Sequence, residues 1–198
     1  ALHDVAIVEA GYGAAAGAQK GLDIACREYG AQWPSAAVVV TRASTWRDDP
    51  ALSWRYPFHV QRLENYDIPT FPLINLWEGE DDQVEGLKAV AAEQRFREPI
   101  LGNLFRDGGE ALAPQLDGFI EALTNAPMAP QFHSRKGMDL VENVKWIAKS
   151  AYGVPEDRIL LKDGFIDSLT AARELCREAG VSLDDLAVVA VKSPATMT

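Results

Sequence analysis

Residues 5–21 read VAIVEAGYGAAAGAQKG, and this stretch decides the predicted fold. A short apolar run leads into Gly11 and Gly13, and an alanine-rich segment follows the two glycines. This order predicts a buried strand, a tight turn and a helix N-terminus. The N–H groups at such a helix N-terminus bind phosphate groups. We therefore predict a strand over 4–10, a helix over 14–29 and a phosphate site at the turn between them.

The rest of the chain continues the alternation of strands and helices. Further apolar runs predict strands at 36–42, 70–76, 99–105, 158–161 and 186–191. Unbroken runs of this kind are typical of parallel strands that are covered on both faces. Pro72 indicates an edge position or a late start for its strand, because proline donates no hydrogen bond to a ladder. The sequence thus predicts an α/β protein with a doubly wound, Rossmann-like, mostly parallel sheet of about six strands and helices on both faces.

Length, charge and cysteine content narrow the class of protein. The 198 residues predict a single α/β domain, 1–198, with a sub-boundary near 125–130, where two prolines occur. The net charge of −10 disfavours a nucleic-acid partner, and the apolar runs are too short to span a membrane. Two cysteines without metal-ligand spacing predict reduced thiols in a cytoplasmic protein and no metal site. A homo-oligomer is compatible with all of these features.

Residues 11–16, GYGAAA, resemble the dinucleotide-binding fingerprint G-x-G-x-x-A. The resemblance implies that Gly11 makes the turn, that Gly13 admits a pyrophosphate and that Ala16 lets the helix pack closely on the strand. After the next strand, Arg42 and Ser44 occupy the place where an acidic residue binds the ribose of NAD. This departure implies a 2′-phosphate and therefore NADP as the cofactor. In the alternative interpretation, the glycines only permit a tight turn.

Ligands of open α/β sheets bind beyond the carboxyl ends of the strands, and the predicted strand ends are polar. The residues expected there are Glu9, Arg42, Ser44, Asn75, Glu78, Asn103, Arg106, Lys162, Asp163, Lys192 and Ser193. The cations among them predict a local positive field for an anionic ligand. Trp46, Trp54 and Trp77 lie on loops at the same edge, where they suit either stacking on a flat ring or packing.

A second group of candidates precedes the helix that begins after Asp139. Arg135 and Lys136 oppose the dipole of that helix, and a bound anion would turn this cost into a gain. We predict that Arg135, Lys136 and Arg106 bind an anionic substrate. His133 and Lys162 are the predicted catalytic acids. A solvated loop is the alternative for the segment around His133.

Residues 167–169, DSL, resemble the attachment site of acyl and peptidyl carrier proteins. The resemblance implies a phosphopantetheine arm on Ser168. It departs from that family at LAVVAVK, residues 186–192, which has the pattern of a strand where carrier domains have helices.

The residues together predict a cytoplasmic enzyme that binds a phosphate-bearing ligand at the Gly11 turn. In its most concrete form this is an NADP-linked oxidoreductase that acts on a small anionic molecule. The alternatives are a non-redox hydrolase, lyase or transferase acting on a small anionic substrate, a carrier modified at Ser168, and a non-catalytic subunit of a complex.

Overall fold

The computed structural model describes residues 4–11, 14–44, 55–125 and 129–189. The chain divides into two compact units. One runs from Trp33 to Pro130, and the other combines the chain up to Gln32 with the chain from Gln131 onward. The single domain and its sub-boundary near 125–130 stay predictions.

Helices and strands alternate along the described ranges. In chain order the elements are α1 (residues 14–28, with π-helical stretches Ala14–Ala18 and Gly21–Cys26), β1 (Ala37–Arg42), α2 (Arg55–Glu64), β2 (Thr70–Asn75), α3 (Val84–Glu93), β3 (Ile100–Gly102), α4 (Leu104–Asp107), α5 (Asp117–Asn125), α6 (Leu140–Ser150) and α7 (Asp163–Glu178). Single 3-10 stretches lie at Asp81–Gln83, Gly109–Gln115, Glu156–Arg158 and Leu183–Asp185. None of the described helices is long and apolar enough to cross a membrane.

The unit from Trp33 to Pro130 is built on a parallel three-stranded sheet in the order β1-β2-β3. Its helices cover both faces of the central strand. Phe71 packs with Ile100 and Leu112 on one face, together with side chains of α5. On the other face Ile74 packs with Leu87 of α3. The predicted α/β class with a parallel sheet and helices is therefore confirmed.

The six predicted strands are not found in the described residues, where the sheet has three. Residues 5–10 have no regular secondary structure and pair with no strand of the described residues, and Ile7 and Val8 are 94% and 88% exposed. Residues 159–162 and 187–189 are likewise outside any ladder, and 190–191 lie beyond the described ranges. An apolar run becomes a strand only when a neighbour accepts its backbone hydrogen bonds, which a run of residues cannot reveal by itself.

The position of Pro72 corrects the predicted edge strand, because β2 is the central strand of the sheet. Pro72 lies opposite Val39 of β1. On the other side, β3 pairs with β2 only from Leu73 onward. Pro72 is thus accommodated where the third strand does not reach, although it is fully buried.

Candidate functional site

The carboxyl end of the parallel sheet brings three strand ends into one row. Arg42 of β1 lies opposite Asn75 of β2, and Asn75 lies opposite Gly102 of β3. Adjacent strands in a sheet lie about 4.8 Å apart, so the segments that follow these residues are close neighbours. Those segments carry Trp77 after β2 and Phe105 after β3.

Trp77 and Phe105 form an exposed aromatic pair at this edge. Their ring centroids are 6.1 Å apart and their planes differ by 4°, so the rings are parallel. The guanidinium carbon of Arg42 lies 4.7 Å from the centroid of the Trp77 ring. Trp77 is 45% exposed and Phe105 is 87% exposed, which is unusual for large aromatic side chains. We call Trp77 and Phe105 the ring platform, and Arg42 lies at its border.

Two asparagines hold the backbone around Phe105. The side-chain oxygen of Asn75 accepts a hydrogen bond from the backbone N–H of Leu104 at 3.2 Å. The side-chain oxygen of Asn103, which is buried, accepts from the N–H of Arg106 at 2.8 Å and caps α4. The first N–H groups of a helix have no partner within the helix, so these bonds fix where α4 begins. Phe105 therefore leaves a backbone that is anchored on both sides.

Glu80 holds the backbone at Trp77. Its carboxylate accepts the N–H of Trp77 at 2.7 Å, and its own backbone N–H donates to the Trp77 carbonyl at 3.1 Å. The side chain of Glu80 is buried, and a charged acceptor of this kind makes a strong hydrogen bond. The side chains of Glu80, Asn75 and Asn103 thus position the backbone from which both rings of the platform extend.

Arg106 is exposed beside this edge and is already paired. Its guanidinium donates to both carboxylate oxygens of Asp107, at 2.6 and 2.7 Å. This hydrogen-bonded pair raises the pKa of Arg106, with smaller contributions from the charges of Asp81 and Glu78, and it lowers the pKa of Asp107. The predicted role of Arg106 in anion binding stays a prediction. A bound anion would have to compete with the Asp107 carboxylate for the Arg106 guanidinium.

The segment around His133 belongs to the other unit and is tied to α1. The carboxylate of Asp23, which is fully buried, accepts the backbone N–H groups of His133 at 3.0 Å and Ser134 at 3.3 Å. The imidazole Nδ1 of His133 lies 2.9 Å from Ser150 Oγ. The Ser150 hydroxyl donates to the Trp146 carbonyl at 2.7 Å, so Ser150 Oγ can accept a hydrogen bond from Nδ1 in the tautomer that carries the Nδ1 proton.

The two predicted anion-binding cations of this segment have partners within the protein. The guanidinium carbon of Arg135 lies 3.6 Å from the centroid of the Trp146 ring. Lys136 forms an ion pair with Glu28 at 2.6 Å. These contacts account for both cations next to the N-terminus of α6 without an added anion. Their role in substrate binding stays a prediction.

The glycine turn differs from the predicted fingerprint. Gly11 is exposed in a turn, but residues 4–10 before it form no strand, and Gly13 lies outside the described residues. The backbone of Ala16 is helical in α1. The close approach occurs instead at Gly17, where an added Cβ would collide with the backbone carbonyl of Gly11 and lie 2.9 Å from its nitrogen. The turn is therefore tight, but its contact is between two backbone segments.

The remaining predicted residues are dispersed. Ser44 is buried just after β1, and Lys162 is exposed at the residue before α7, where its carbonyl accepts the Phe165 N–H at 2.9 Å. Ser168 lies within α7 and its hydroxyl donates to the Gly164 carbonyl at 2.8 Å. Besides Gly13, the predicted residues that lie outside the described ranges are Trp46, Trp54, Lys192 and Ser193. Where the chain is described, no three His, Cys, Asp or Glu side chains group as a metal ion would require.

Sequence reasoning missed Phe105 and Glu80 as parts of this edge. Phe105 was assigned to a strand, because PILGNLF at 99–105 is a largely apolar run. Asn103 is a strong helix N-cap residue, and this local signal marks the start of α4 correctly. Glu80 stands among four acidic residues in 78–82, EGEDD, where nothing in the sequence marks it as the buried one.

Comparison with known proteins gives a consistent result. No protein-family model matches the chain. The chain is similar to formate–tetrahydrofolate ligases. It is 76% identical to the ligase of Bifidobacterium longum over 198 residues, which is all of this chain and 39% of that protein. It is 30% identical to the ligase of Cereibacter sphaeroides over 169 residues, 76% of this chain and 30% of the relative. The ligase of Methylobacterium nodulans is 27% identical over 177 residues, 80% of this chain and 31% of that protein.

This similarity corrects the predicted function. A chain 76% identical along its whole length to a ligase is not an NADP-linked oxidoreductase, and the predicted NADP cofactor is wrong. The missing strand before Gly11 removes the physical basis for that cofactor, since the fingerprint needs a strand to aim its turn. The hydrolase, lyase, transferase, carrier and non-catalytic alternatives are wrong as well. The substrates that the relatives' name gives are small molecules, in agreement with the predicted small-molecule ligand. The chain spans 39% of the length of its Bifidobacterium longum relative.

Proposed function

We propose that this chain is part of an enzyme that joins formate to tetrahydrofolate, and that the ring platform binds the folate ring system. The observation that carries the proposal is the exposed, parallel pair of Trp77 and Phe105 at the carboxyl edge of a parallel sheet. This edge is where open α/β sheets bind their ligands. The name of the similar formate–tetrahydrofolate ligases gives tetrahydrofolate as a substrate, and this molecule carries a flat ring.

The geometry of the pair suits a planar ring. Tetrahydrofolate carries a pyrimidinone ring that is flat and rich in π-electrons, and such rings stack on aromatic side chains. The rings of Trp77 and Phe105 are parallel, with centroids 6.1 Å apart, so a flat ring can stack against either of them in the same orientation. Both side chains are exposed, which leaves part of their surface open to such a ligand.

A ligase joins two molecules while it cleaves a nucleoside triphosphate, so the complete enzyme has a third substrate. We assign this chain the folate contact and leave the triphosphate unassigned. The phosphate site predicted at Gly11 and the acid role predicted for His133 and Lys162 remain hypotheses within this proposal. A cytoplasmic location remains a prediction as well.

Fluorescence titration with tetrahydrofolate tests the proposal. We expect Trp77→Ala and Phe105→Ala each to weaken binding by about tenfold, because stacking of a ring on an aromatic side chain contributes about 1–3 kcal/mol. Trp77→Phe removes the indole but keeps a ring, and it should restore most of the affinity. Ile120→Ala is the control, because Ile120 is also a large exposed apolar side chain of this unit. Unchanged affinity in both alanine variants would refute the platform as the folate site.

A further inference from the structure

The two arginines at the carboxyl edge of the sheet are in different electrostatic states. Arg106 is neutralised by Asp107 through two hydrogen bonds. Arg42 is exposed, and no acidic side chain of the described residues forms an ion pair with it. The contact of its guanidinium is with the Trp77 ring, 4.7 Å away. In a protein with a net charge of −10, an arginine at a proposed binding site that forms no ion pair with a described acidic side chain requires an explanation.

Stacking leaves the hydrogen-bonding edge of an arginine available. The guanidinium is planar and lies over the Trp77 ring, so N–H groups at its free edge remain available to a ligand. Those N–H groups match the two oxygens of a carboxylate and bind it with two parallel hydrogen bonds. The Trp77 ring orients the guanidinium in advance, which lowers the entropy that binding would otherwise cost. Arg42 is thus prepared for a carboxylate at the border of the ring platform.

We propose that Arg42 binds a carboxylate of the substrate next to the ring platform. The inference rests on the proposed function, because that function supplies the carboxylates. One source is the glutamate tail of tetrahydrofolate, which carries two of them, and the other is formate itself. Either carboxylate would make the same charge-assisted pair with Arg42. Loss of Arg42 would weaken the binding of tetrahydrofolate in the first case and of formate in the second, so the two sources can be told apart.

The experiment compares Arg42→Gln with a matched control, Arg97→Gln. The guanidinium carbon of Arg97 lies 4.8 Å from the Phe71 ring centroid, so both changes remove one stacked cation from the same unit. Arg97 precedes β3, whereas Arg42 ends β1, so the two arginines lie at opposite ends of the parallel sheet. Binding is titrated with tetrahydrofolate and with a tetrahydropterin that lacks the tail, and the Michaelis constant for formate is measured in the ligation reaction of the protein that carries this chain.

If Arg42 holds the folate tail, Arg42→Gln weakens tetrahydrofolate at least tenfold and leaves the tail-less pterin unchanged, as expected for a charge-assisted pair. If it holds formate, the Michaelis constant for formate rises at least tenfold instead. Arg42→Lys should recover part of the loss, because it keeps the charge but not the paired hydrogen bonds. The affinity that depends on Arg42 should also fall with added salt. The inference is overturned if Arg42→Gln behaves like Arg97→Gln toward all three ligands.

The tail-less pterin separates this inference from the proposed function. If neither Trp77→Ala nor Phe105→Ala weakens that ligand, the platform is not the folate site and the proposed function fails. A loss of carboxylate-bearing ligands in Arg42→Gln would still establish the carboxylate site in that case. Equal losses of the pterin and of tetrahydrofolate in Arg42→Gln would mean that Arg42 only supports the Trp77 ring, and would also overturn the inference.

Discussion

Replacing Asn75 by alanine tests how the ring platform is positioned. The side-chain oxygen of Asn75 accepts the N–H of Leu104 at 3.2 Å, and Leu104 directly precedes Phe105. Without Asn75, that N–H group at the start of α4 loses its protein partner in a partly buried site. An unsatisfied N–H costs about 1–3 kcal/mol, and partial access to water places this case near the lower end. We therefore expect the free energy of unfolding to fall by about 1 kcal/mol, which changes the folding equilibrium about fivefold.

The platform should respond more than the fold does. When α4 loses this anchor, Phe105 no longer keeps its plane parallel to Trp77, and the near-ultraviolet circular dichroism of the pair should decrease. Urea denaturation gives the stability, and titration with tetrahydrofolate gives the affinity, which we expect to fall several-fold. Asn75→Asp is the matched control, because a carboxylate keeps the acceptor and its negative charge is favourable at the N-terminus of α4. Loss of stability without a change in the aromatic spectrum, or equal effects of the two variants, would refute a positioning role for Asn75.

Three further changes test other parts of the structure. Asp23→Ala should lower the free energy of unfolding by about 3 kcal/mol in urea denaturation, because two backbone N–H groups lose a buried acceptor. Gly17→Ala should cost about 1–3 kcal/mol by the same assay, because its Cβ meets the Gly11 backbone, whereas Gly11→Ala meets no atom within 4 Å. Burial raises the pKa of Glu64, and this effect is larger than the lowering of the pKa by the charge of Arg97. The charged carboxylate therefore destabilises the fold at neutral pH. Glu64→Gln should therefore raise the melting temperature at pH 7, and the gain should vanish below pH 4.5.

Each of these expectations has a contrary outcome. An Asp23→Ala protein as stable as the parent would mean that water replaces the carboxylate at the two N–H groups. Equal melting temperatures for the Gly17 and Gly11 variants would show that the close backbone contact relaxes freely. A stabilisation by Glu64→Gln that persists below pH 4.5 would have a cause other than the charge of the carboxylate.

The parallel sheet was predictable because its pattern is local. The runs at 36–42 and 70–76 are apolar at successive positions, and each becomes a strand within a residue of its predicted ends. The run at 4–10 is also largely apolar, but its large apolar side chains are exposed. A strand needs a partner for its backbone hydrogen bonds, and the run itself does not reveal whether one is present. The third strand was predicted too long, since the apolar residues after Asn103 favoured a strand while Asn103 itself starts a helix.

The candidate site was predictable only in part. The rule that ligands meet the carboxyl ends of parallel strands placed Arg42, Asn75 and Asn103 at one edge, where the structure has them. The stacking of Trp77 on Phe105 was not visible, because it joins side chains from the segments that follow two strands, and the distance between those segments depends on the strand register. Asp23 was missed for the same reason, since its partners lie 110 and 111 residues away along the chain.

The bond from Asp23 to His133 also sets the order in which the chain can assemble during synthesis. The ribosome adds about 5–20 residues per second, so roughly 5–20 s separate the emergence of Asp23 from that of its partner 110 residues later. Throughout that interval the carboxylate lacks these two N–H partners, while the segment Trp33–Pro130 emerges completely and its parallel sheet can close. The bonds from the N–H groups of His133 and Ser134 to Asp23 are therefore a late event, which requires the segment Trp33–Pro130 to have been synthesised.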